Sequence, residues 1–460
     1  MSREMRHSGI EWIGEIPKEW KIMPFKQMYE LGKGLSITKA DLVEEGIPVI
    51  SYGQIHSKAN TGTTIKDELI RFVPDRFLDG NASSLVKKGD VIFADTSEDL
   101  DGCGNCVYID RDITIFAGYH TIIAKNQSST PNNYLSYLFK TDCWRSQIRS
   151  SVNGVKLFSV PQRLLGSTTI ILPPFSEQQK IANYLDKVCG EVDEMIALQE
   201  QMIEKLKAYK QSVITEAVTK GLNPDVPMKD SGIDWIGEVP EGWEIVRLKA
   251  LGGLQNGISQ SGDYFGEDFE YPFISYSDVY KNIEIPYPSG RANSTIEDRI
   301  RYSVLEGDVL FTRTSETIEE IGFAATCTNT IYNAVFSGFL IRFRPNSNKL
   351  FKGYSKYYFR SDIHRAYFVK EMNLVTRASL SQDLLKNLFV LIPSFSEQQS
   401  IASYLDTKCA EIDALIAIKQ AKIEELKDYK KSVIYEYVTG KKEVTQNRYY
   451  YEQVRCFHKL

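Results

Sequence analysis

The sequence predicts an α+β protein with a pseudo-two-fold internal repeat, in which two globular mixed α/β domains accompany two long coiled-coil helices. One observation is a stretch of fourteen residues at 173–186 that returns at 393–406, an offset of 220 residues, with three differences. A second is that apolar residues follow each copy at three- and four-residue steps, which is the period of a coiled coil. A third is a tryptophan-rich segment at 8–20 that returns at 231–243. A repeat of this length decides the architecture before any single motif does.

The two copies divide the 460-residue chain into five segments. Each repeat consists of a tryptophan-rich lead, a globular segment and a long helix, in that order. The predicted boundaries are 1–172 for the first lead and globular domain, 173–221 for the first helix, 222–392 for a linker and the second globular domain, 393–442 for the second helix, and 443–460 for a tail without a counterpart.

Both long helices have predicted starts and stops. Ser176 and Ser396 are expected to cap the first turns, each with a glutamine three residues later to complete a capping box. The prolines just upstream cannot continue a helix backward and so mark its boundary. Gly221 and Gly440 follow the last periodic turns and suit a left-handed termination. Each helix is therefore predicted to run for about 44 residues, or roughly 65 Å.

The apolar stripe of each helix predicts that the two helices pack against one another, since a single stripe needs a partner. Two equivalent polar residues, Gln199 and Lys419, stand near the middle of the stripes. In an antiparallel pair these residues would face each other closely, and a buried polar layer would fix the register. The alternative is that both side chains point to solvent. The predicted helix-pair core is Leu185, Val192, Met195, Gln199 and Leu206 with Leu405, Ile412, Leu415, Lys419 and Leu426.

The globular segments have diverged further, but they retain aligned fragments that predict strands. Residues 49–55 match 273–279, and residues 89–98 match 307–316; all four are rich in β-branched and aromatic residues. Each globular segment is therefore expected to mix helices with strands. Further strands are predicted at 112–115, 120–124, 168–172, 339–344 and 387–392, and helices at 133–149 and 351–370.

The net charge of −5 does not by itself indicate a nucleic-acid-binding protein, but the charge is unevenly distributed. Residues 342–377 carry nine Lys and Arg against two acidic residues, interleaved with aromatic residues. The matching stretch of the first repeat, 125–163, carries six against one. Basic side chains on one element can neutralise phosphates, which dominates the salt-dependent part of DNA affinity. The alternative is a solvated helix face.

Several classes of function find no support in the motifs of the chain. There is no Walker A loop, no Asn/Asp-Pro-Pro-Tyr/Phe methyltransferase motif and no histidine spacing typical of a metal site. Cys103 and Cys106 form a lone CxxC pair, which is weak support for metal or redox chemistry. No signal peptide and no apolar run long enough to span a membrane is present. We expect a cytoplasmic protein without catalytic residues of its own.

The layout resembles the specificity subunit of type I restriction-modification systems over essentially the whole chain. The resemblance rests on the lead from Trp12 to Pro17, on the helix start from Pro173 to Gln179, and on the doubling of both. It implies two target-recognition domains that each read one half of an asymmetric bipartite site on double-stranded DNA, separated by two long antiparallel helices that act as a ruler.

The resemblance also implies partners. These are two methyltransferase subunits, with or without two ATP-driven restriction subunits. S-adenosylmethionine, ATP and Mg²⁺ are expected in those partner subunits, and no cofactor is expected in this chain.

The residues expected to contact DNA lie in loops and at strand ends. Gln54 is a candidate because an amide can contact adenine at two atoms, and Arg313 because a guanidinium can contact guanine in the same way. Lys156 and Arg377 occupy roughly equivalent loops, where backbone or groove contacts are expected. The alternative for each is a surface residue without a ligand. The predicted DNA-binding residues are Gln54, Thr96, Ser97, Lys156, Arg313, Thr314, Ser315 and Arg377.

Two other functions remain open on the sequence alone. One is a scaffold whose helices bind partners and whose globular domains read proteins instead of DNA. The other is the specificity subunit of a methylation-only system, which has no cleavage partner.

Overall fold

The chain forms two compact units that both mix helices with strands, and the predicted α+β class is confirmed. Unit 1 comprises residues 1–198 with 422–460, and unit 2 comprises residues 199–421. Each long helix therefore contributes one half to unit 1 and the other half to unit 2. The computed structural model describes residues 3–128, 133–154, 156–259, 262–315, 320–364, 367–368 and 378–445.

The globular part of unit 1 has two four-stranded sheets at its centre. Its strands are β1 (Met5–His7), β2 (Glu15–Pro17), β3 (Lys21–Pro24), β4 (Tyr29–Lys33), β5 (Ile47–Ile50), β6 (Arg71–Val73), β7 (Leu85–Val86), β8 (Val91–Ala94), β9 (Thr96–Ser97), β10 (Cys106–Tyr108), β11 (Ile115–Ala117), β12 (Thr121–Asn126), β13 (Phe158–Ser159) and β14 (Thr169–Leu172). Its helices are α1 (Tyr52–Ile55), α2 (Tyr134–Phe139), α3 (Asp142–Arg149) and α4 (Gln162–Ser167), followed by the long α5 (Phe175–Lys220). The sheet orders are β10-β8-β12-β4 and β6-β5-β11-β7, in which only β5 and β11 pair in parallel.

The globular part of unit 2 repeats this plan. Its strands are β15 (Met228–Asp230), β16 (Glu238–Pro240), β17 (Glu244–Arg247), β18 (Gly252–Asn256), β19 (Tyr271–Ile274), β20 (Arg291–Ala292), β21 (Val309–Thr312), β22 (Thr314–Ser315), β23 (Ala324–Thr326), β24 (Val335–Phe336), β25 (Leu340–Pro345), β26 (Ala378–Ser379) and β27 (Phe389–Ile392). Its helices are α6 (Tyr276–Lys281), α7 (Ile296–Arg301), α8 (Lys352–Tyr358) and α9 (Gln382–Asn387), followed by the long α10 (Phe395–Val438). The sheet orders are β18-β25-β21-β23 and β20-β19-β24, again with one parallel pair, β19 with β24. The internal repeat is therefore present in the topology as well as in the sequence.

One predicted strand in each repeat is shorter than expected. The strand assigned to 49–55 ends at Ile50, and α1 follows it at once. The cause is a capping box, in which Oε1 of Gln54 accepts a hydrogen bond from the amide of Ser51 at 2.8 Å. In the second repeat Ser275 and Asp278 form the same box, and α6 replaces the second half of the predicted strand.

The long helices begin one residue before the predicted caps. Ser176 and Ser396 lie inside the first turns of α5 and α10, so their predicted capping role is wrong. In α10 the hydroxyl of Ser394 accepts from the amide of Glu397 at 3.3 Å, and in α5 the carbonyl of Pro174 takes the first helical bonds. The predicted boundary at the prolines was correct. In α10 the serine that caps the helix is Ser394, which precedes the first turn, and not Ser396, which lies inside it.

The ends of the long helices are as predicted. Gly221 and Gly440 follow the helices with φ of +77° and +70°, in the left-handed region that favours glycine. The observed lengths are 46 residues for α5 and 44 residues for α10, close to the predicted length. A Cβ at Gly440 would also lie 2.4 Å from ring atoms of Pro17, so this position needs glycine for space as well as for conformation.

The long helices pack antiparallel within each unit. In unit 1 the ring of Tyr184 lies 4.5 Å from that of Tyr437, and Nζ of Lys430 lies 2.7 Å from Oδ1 of Asp193. In unit 2 Nζ of Lys210 lies 2.7 Å from Oδ2 of Asp413. The residue number on one helix falls as that on the other rises, which is the antiparallel order. Each ion pair is also the repeat equivalent of the other, since both partners are displaced by 220 residues.

Most of the predicted helix-pair core is buried, with one exception. Leu185, Val192, Leu405, Ile412, Leu426 and Gln199 are buried, and Met195, Leu206 and Lys419 are half-buried. Leu415 is 47% exposed, so its assignment to the core is wrong. Successive residues of a helix point about 100° apart, so Leu415 and Ile416 cannot both face the other helix. The half-buried Ile416 takes the core position that was predicted for Leu415.

Gln199, the polar residue in the middle of α5, is buried, as a polar layer inside the helix pair would require. Gln199 is 5% exposed, and its Oε1 has no hydrogen-bond partner among the described residues. This burial excludes the alternative that Gln199 points to solvent. The closeness of Gln199 to Lys419 stays a prediction.

Tyrosine hydroxyls attach each globular domain to both long helices. The hydroxyl of Tyr134 donates to the carbonyl oxygen of Val438, at 2.8 Å, and that of Tyr137 donates to Asp186 Oδ1, at 2.7 Å. In unit 2 the hydroxyl of Tyr354 lies 3.2 Å from the carbonyl oxygen of Val218, and that of Tyr357 donates to Asp406 at 2.7 Å. Each domain therefore binds its own following helix through one tyrosine and the helix of the other repeat through the second.

Removing one of these hydroxyls, in Tyr134→Phe, is expected to lower the free energy of unfolding by about 1–2 kcal/mol, because the buried carbonyl of Val438 loses its donor. Urea denaturation followed by tryptophan fluorescence measures the change. Tyr332→Phe is the matched control, since it removes the same atom from a side chain that is 80% exposed. Equal midpoints for the two variants would contradict the anchoring role.

Candidate nucleic-acid interface

Three of the predicted DNA-binding residues of unit 1 lie along one two-stranded ladder. Strand β9 pairs antiparallel with β13, so that Ser97 is opposite Phe158 and Thr96 is opposite Ser159. Lys156 lies two residues before β13, and its side chain is exposed. The structure therefore brings Thr96, Ser97 and the loop of Lys156 together, although they lie on separate segments of the sequence.

Gln54 lies on α1, which contacts the same ladder. Nε2 of His56, on the turn after α1, lies 2.8 Å from the carbonyl oxygen of Thr96. Oε1 of Gln54 already accepts the capping hydrogen bond from Ser51. This capping bond uses one of the two lone pairs of Oε1, so a two-atom contact with adenine would have to share that oxygen. The role of Gln54 in binding stays a prediction, beside a structural role that its sequence context did not indicate.

Two residues that the sequence reasoning missed lie beside β9. The hydroxyl of Thr96 donates to Oδ1 of Asp95 at 2.7 Å, and Nδ1 of His120 lies 3.3 Å from the same oxygen. His120 has a φ of +53°, a left-handed conformation that is uncommon outside glycine and that clusters at functional sites. Asp95 could have been found from its position next to Thr96, but a backbone angle leaves no trace in a single sequence.

His120 lies in an open cleft of about 640 Å³ that is surrounded by aromatic and polar groups. The ring of Tyr52 packs edge-on against His120 with a centroid distance of 5.3 Å, and against Tyr119 at 5.6 Å. The cleft offers hydrogen-bond donors, acceptors and aromatic faces, which are the groups that read base edges. Its lining includes Lys33, Asp95, Tyr119, His120, Ser159 and Gln162.

Unit 2 carries different side chains on the same backbone arrangement. The amide of Arg313 donates to the carbonyl oxygen of Phe339 at 2.9 Å, as the amide of Asp95 donates to that of His120 at 3.1 Å. The half-buried side chain of Arg313 has no ion pair or hydrogen bond within the described part of the chain. Phe339 is 61% exposed. At this position of the backbone, an arginine and a phenylalanine thus replace the aspartate and the histidine of unit 1.

The remaining candidates of unit 2 lie on the equivalent ladder. Strand β22 pairs antiparallel with β26, with Thr314 opposite Ser379 and Ser315 opposite Ala378. Arg377, which directly precedes β26 in sequence, lies outside the described residues, and its contact stays a prediction. The two ladders therefore place the Thr-Ser pairs of the two repeats in the same structural position.

Three of the nine cations of residues 342–377 have a different role from the predicted one, whereas Arg365, Lys370 and Arg377 lie outside the described residues. Arg342 is 6% exposed, and burial lowers its pKa to about 10. Arg344 donates to the carboxylate of Asp308 at 2.6 Å, and Nζ of Lys356 lies 2.7 Å from Oδ1 of Asp406. These cations are structural, so phosphate contact and a solvated helix face are both wrong for them. The carboxylate partners of Arg344 and Lys356 are distant in sequence, which is why a local charge count misled.

The described residues provide no alternative chemistry at either ladder. No group of three or more His, Cys, Asp or Glu residues within the described ranges is placed to hold a metal ion. Cys103 and Cys106 are buried, and burial raises the pKa of both thiols. Among the described helices, none combines the length and the apolar character that crossing a membrane requires.

Comparison with known proteins gives a consistent result for both repeats. Residues 17–208 and 240–428 match the family described as the type I restriction modification DNA specificity domain. The chain is 23% identical over 434 residues to the putative type I restriction enzyme MjaX specificity subunit of Methanocaldococcus jannaschii, covering 93% of this chain and 95% of the relative. It is also 23% identical over 415 residues to the type I restriction enzyme EcoKI specificity subunit of Escherichia coli K12, covering 87% of this chain and 84% of the relative.

One solved structure shares the fold of nearly the whole chain. It comes from a study titled as the structural basis of complex assembly and conformational transition of the type I R-M system. The superposition has a TM-score of 0.68 at 18% identity and covers 92% of this chain and 99% of the other. At this identity the likeness shows the fold alone.

The left-handed backbone at His120 yields a test of local strain. His120→Val is expected to lower the free energy of unfolding by about 1–2 kcal/mol, because a β-branched residue tolerates positive φ poorly. His120→Asn keeps a residue type that adopts this conformation and is expected to stay close to the parent chain. Phe339→Val, at the equivalent position without positive φ, is the matched control in urea denaturation. A loss as large in Phe339→Val as in His120→Val would show that the side chain matters and the backbone does not.

Proposed function

The chain belongs to the family of type I restriction modification DNA specificity domains, and on that premise we propose that it is the DNA sequence-specificity subunit of a type I restriction-modification complex. In this proposal each globular domain reads one half of an asymmetric bipartite site on double-stranded DNA. The observation that carries it is that one backbone arrangement recurs in both units with different side chains, Asp95 and His120 in one and Arg313 and Phe339 in the other. Two domains with the same fold but different side chains at this position suit a DNA site whose two halves differ in sequence.

The side chains of the two units suit different base edges. The guanidinium of Arg313, which has no side-chain partner among the described residues, can donate two parallel hydrogen bonds to O6 and N7 of guanine in the major groove. The carboxylate of Asp95 can accept a hydrogen bond from N4 of cytosine, with His120 beside it as a further polar contact. Lys156 is exposed in the loop that precedes β13, where it is suited to contact a phosphate. Such a contact positions the domain on the DNA without reading its sequence.

The long helices serve this proposal as a spacer and as a docking surface. α5 and α10 contribute to both units, and repeated ion pairs fix their antiparallel packing within each. We propose that they set the length of the gap between the half-sites and dock two methyltransferase subunits, with or without two restriction subunits, in the cytoplasm. The chain itself is non-catalytic in this proposal, and the partners carry S-adenosylmethionine, ATP and Mg²⁺.

Two alternatives differ from this proposal in what they predict. A scaffold whose domains read proteins has no observation of the structure in its favour, and it predicts no sequence-dependent retention of DNA with a methyltransferase subunit present. A methylation-only system differs solely in lacking the restriction partner. The genes next to this one distinguish that case.

Arg313→Ala is expected to relax the half-site read by unit 2 and to leave the other half-site unchanged, because a lost bidentate pair costs about 1–3 kcal/mol of discrimination. Asp95→Ala is the matched variant and is expected to affect only the half-site read by unit 1. Methylome sequencing of cells that express each variant with its methyltransferase measures both outcomes. Relaxation of both half-sites by either variant would contradict the assignment of one half to each unit.

A domain exchange tests the same assignment without relying on single residues. Replacing residues 21–172 with the corresponding segment of another family member is expected to change one half-site and to preserve the second half-site and the gap. The readout is again the methylated sequence motif. A change in both half-sites would mean that the two domains read DNA jointly.

A further inference from the structure

A cavity of about 750 Å³ in unit 1 shares no lining residue with the His120 cleft. It is bounded by α3 and the turn before it, by the lead at Trp12, by the loop at Asp101 and by the C-terminal half of α10. Among the charged residues of its lining, cations outnumber acids by four to two. The charged residues are Lys140, Arg145, Arg149 and Lys431 against Asp101 and Asp142.

Arg145 is the most buried of these cations. Its side chain is 8% exposed, and its Nε donates to the carbonyl oxygen of Phe139 at 2.9 Å. Its two terminal nitrogens make no ion pair or hydrogen bond within the described residues, although the side chain lines the cavity. Burial lowers the pKa of this guanidinium, which reflects the free-energy cost of holding a cation away from water, and the more distant charges of Asp142 and Asp101 offset only part of that cost.

The carboxylates of the cavity do not neutralise the remaining cations. Asp142 is engaged by Arg149, whose Nη1 lies 2.8 Å from Oδ1, while Nε of Arg149 is buried without a hydrogen-bond partner among the described residues. Lys140 is half-buried and Lys431 is exposed, and neither forms an ion pair in the described part of the chain. The cavity thus contains hydrogen-bond donors and positive charge in excess of its acceptors.

The equivalent region of unit 2 satisfies its cation internally. Arg360, the repeat equivalent of Lys140, donates to the carbonyl oxygen of Tyr280 at 2.7 Å and lies 4.2 Å above the ring of Phe323. Lys431 is replaced by Gln211, whose amide nitrogen donates to the carbonyl oxygen of Arg360 at 3.3 Å. The same fold can therefore satisfy a cation at the position of Lys140 from within, while Arg365, the repeat equivalent of Arg145, lies outside the described residues.

The aromatic residue at the cavity shows the same contrast. Trp12 is 42% exposed and borders the cavity. Its equivalent in unit 2, Trp235, is half-buried, with its ring packed against that of Tyr367 at 5.5 Å. Trp12 thus leaves more of its indole exposed at the cavity than Trp235 does at its own position.

We propose that this cavity binds a free nucleotide, with Arg145, Lys140 and Lys431 contacting the phosphates and Trp12 providing a face for the base. The volume is within the range of small-molecule sites. Guanidinium and ammonium groups are the usual partners of phosphate, and aromatic side chains stack on any base. The site is independent of the DNA-reading residues, so its existence does not depend on the function proposed above.

Lys140 gives this site a pH dependence. Burial lowers the pKa of Lys140 to about 8, with smaller contributions in the same direction from the positive charges of Arg145 and Lys430. Burial raises the pKa of Cys106 and of Cys143 in the cavity wall, so both thiols stay neutral to higher pH. Since an anion binds the protonated amine, affinity is expected to fall about tenfold between pH 7 and pH 9. Lys140→Arg keeps its charge over this range and is expected to remove the dependence.

The test is isothermal titration calorimetry of the full-length chain with ATP and with inorganic tripolyphosphate in magnesium-free buffer. Both probes are expected to bind saturably at pH 7, and Lys140→Gln and Lys431→Gln are each expected to weaken them about tenfold. Trp12→Ala is expected to weaken ATP and to leave tripolyphosphate unchanged. Lys427→Gln is the matched control, because it removes an exposed cation of α10 that already pairs with Glu424 at 2.8 Å.

Three results would overturn the proposal. The first is the absence of saturable binding by either probe. The second is an equal loss of affinity in Lys427→Gln and Lys431→Gln, since that would reflect net charge and not a site. The third is that duplex DNA displaces ATP and that Lys140→Gln weakens retention of duplex DNA as much as binding of ATP, which would assign the cavity to the DNA backbone.

Discussion

The structure depends on a hydrogen bond that each globular domain makes to the end of the other repeat's helix. Tyr134 reaches the carbonyl of Val438, and Tyr354 reaches that of Val218. Carbonyls at the end of a helix have no partner within it, and a buried one without a donor is costly. The domain supplies the missing donor and is thereby oriented on two helices at once. The indole of each lead, Trp20 or Trp243, adds a bond to a glutamate at the start of its own helix, at 3.1 Å.

This shared framework leaves the recognition surface free to diverge. The backbone bonds that hold Asp95 and Arg313 in place are made by main-chain atoms, so they persist whatever side chain is present. The carboxylate and imidazole of one unit, and the guanidinium and phenyl ring of the other, are substitutions on one template. Phosphate-binding and base-reading chemistry can therefore change in one half without disturbing the other, which is the property a bipartite reader needs.

The sequence was most informative where a feature is local or repeated. Helix length and the glycine stops were predictable because the coiled-coil period and the φ requirement act within a few residues. Leu415 was wrongly assigned to the core because Leu415 and Ile416 both fit the apolar period of the helix. Only the packing in the folded structure shows that Ile416 is the more buried of the two. The charge bias around Arg342 misled because its neutralising acids are brought near by the fold. The strain at His120 could not be predicted at all, since it is a property of the backbone.

The division of the helices between the units also orders events during synthesis on the ribosome. Unit 2 is one continuous segment, and its tyrosine contact spans 136 residues, whereas that of unit 1 spans 304. The second domain can thus be completed before the first, because the first awaits the last helical turns to leave the exit tunnel. Until then the apolar core of unit 1 lacks the residues that α10 contributes, among them Tyr437 and Val438, so part of its apolar surface is exposed to the aggregation that threatens incomplete domains.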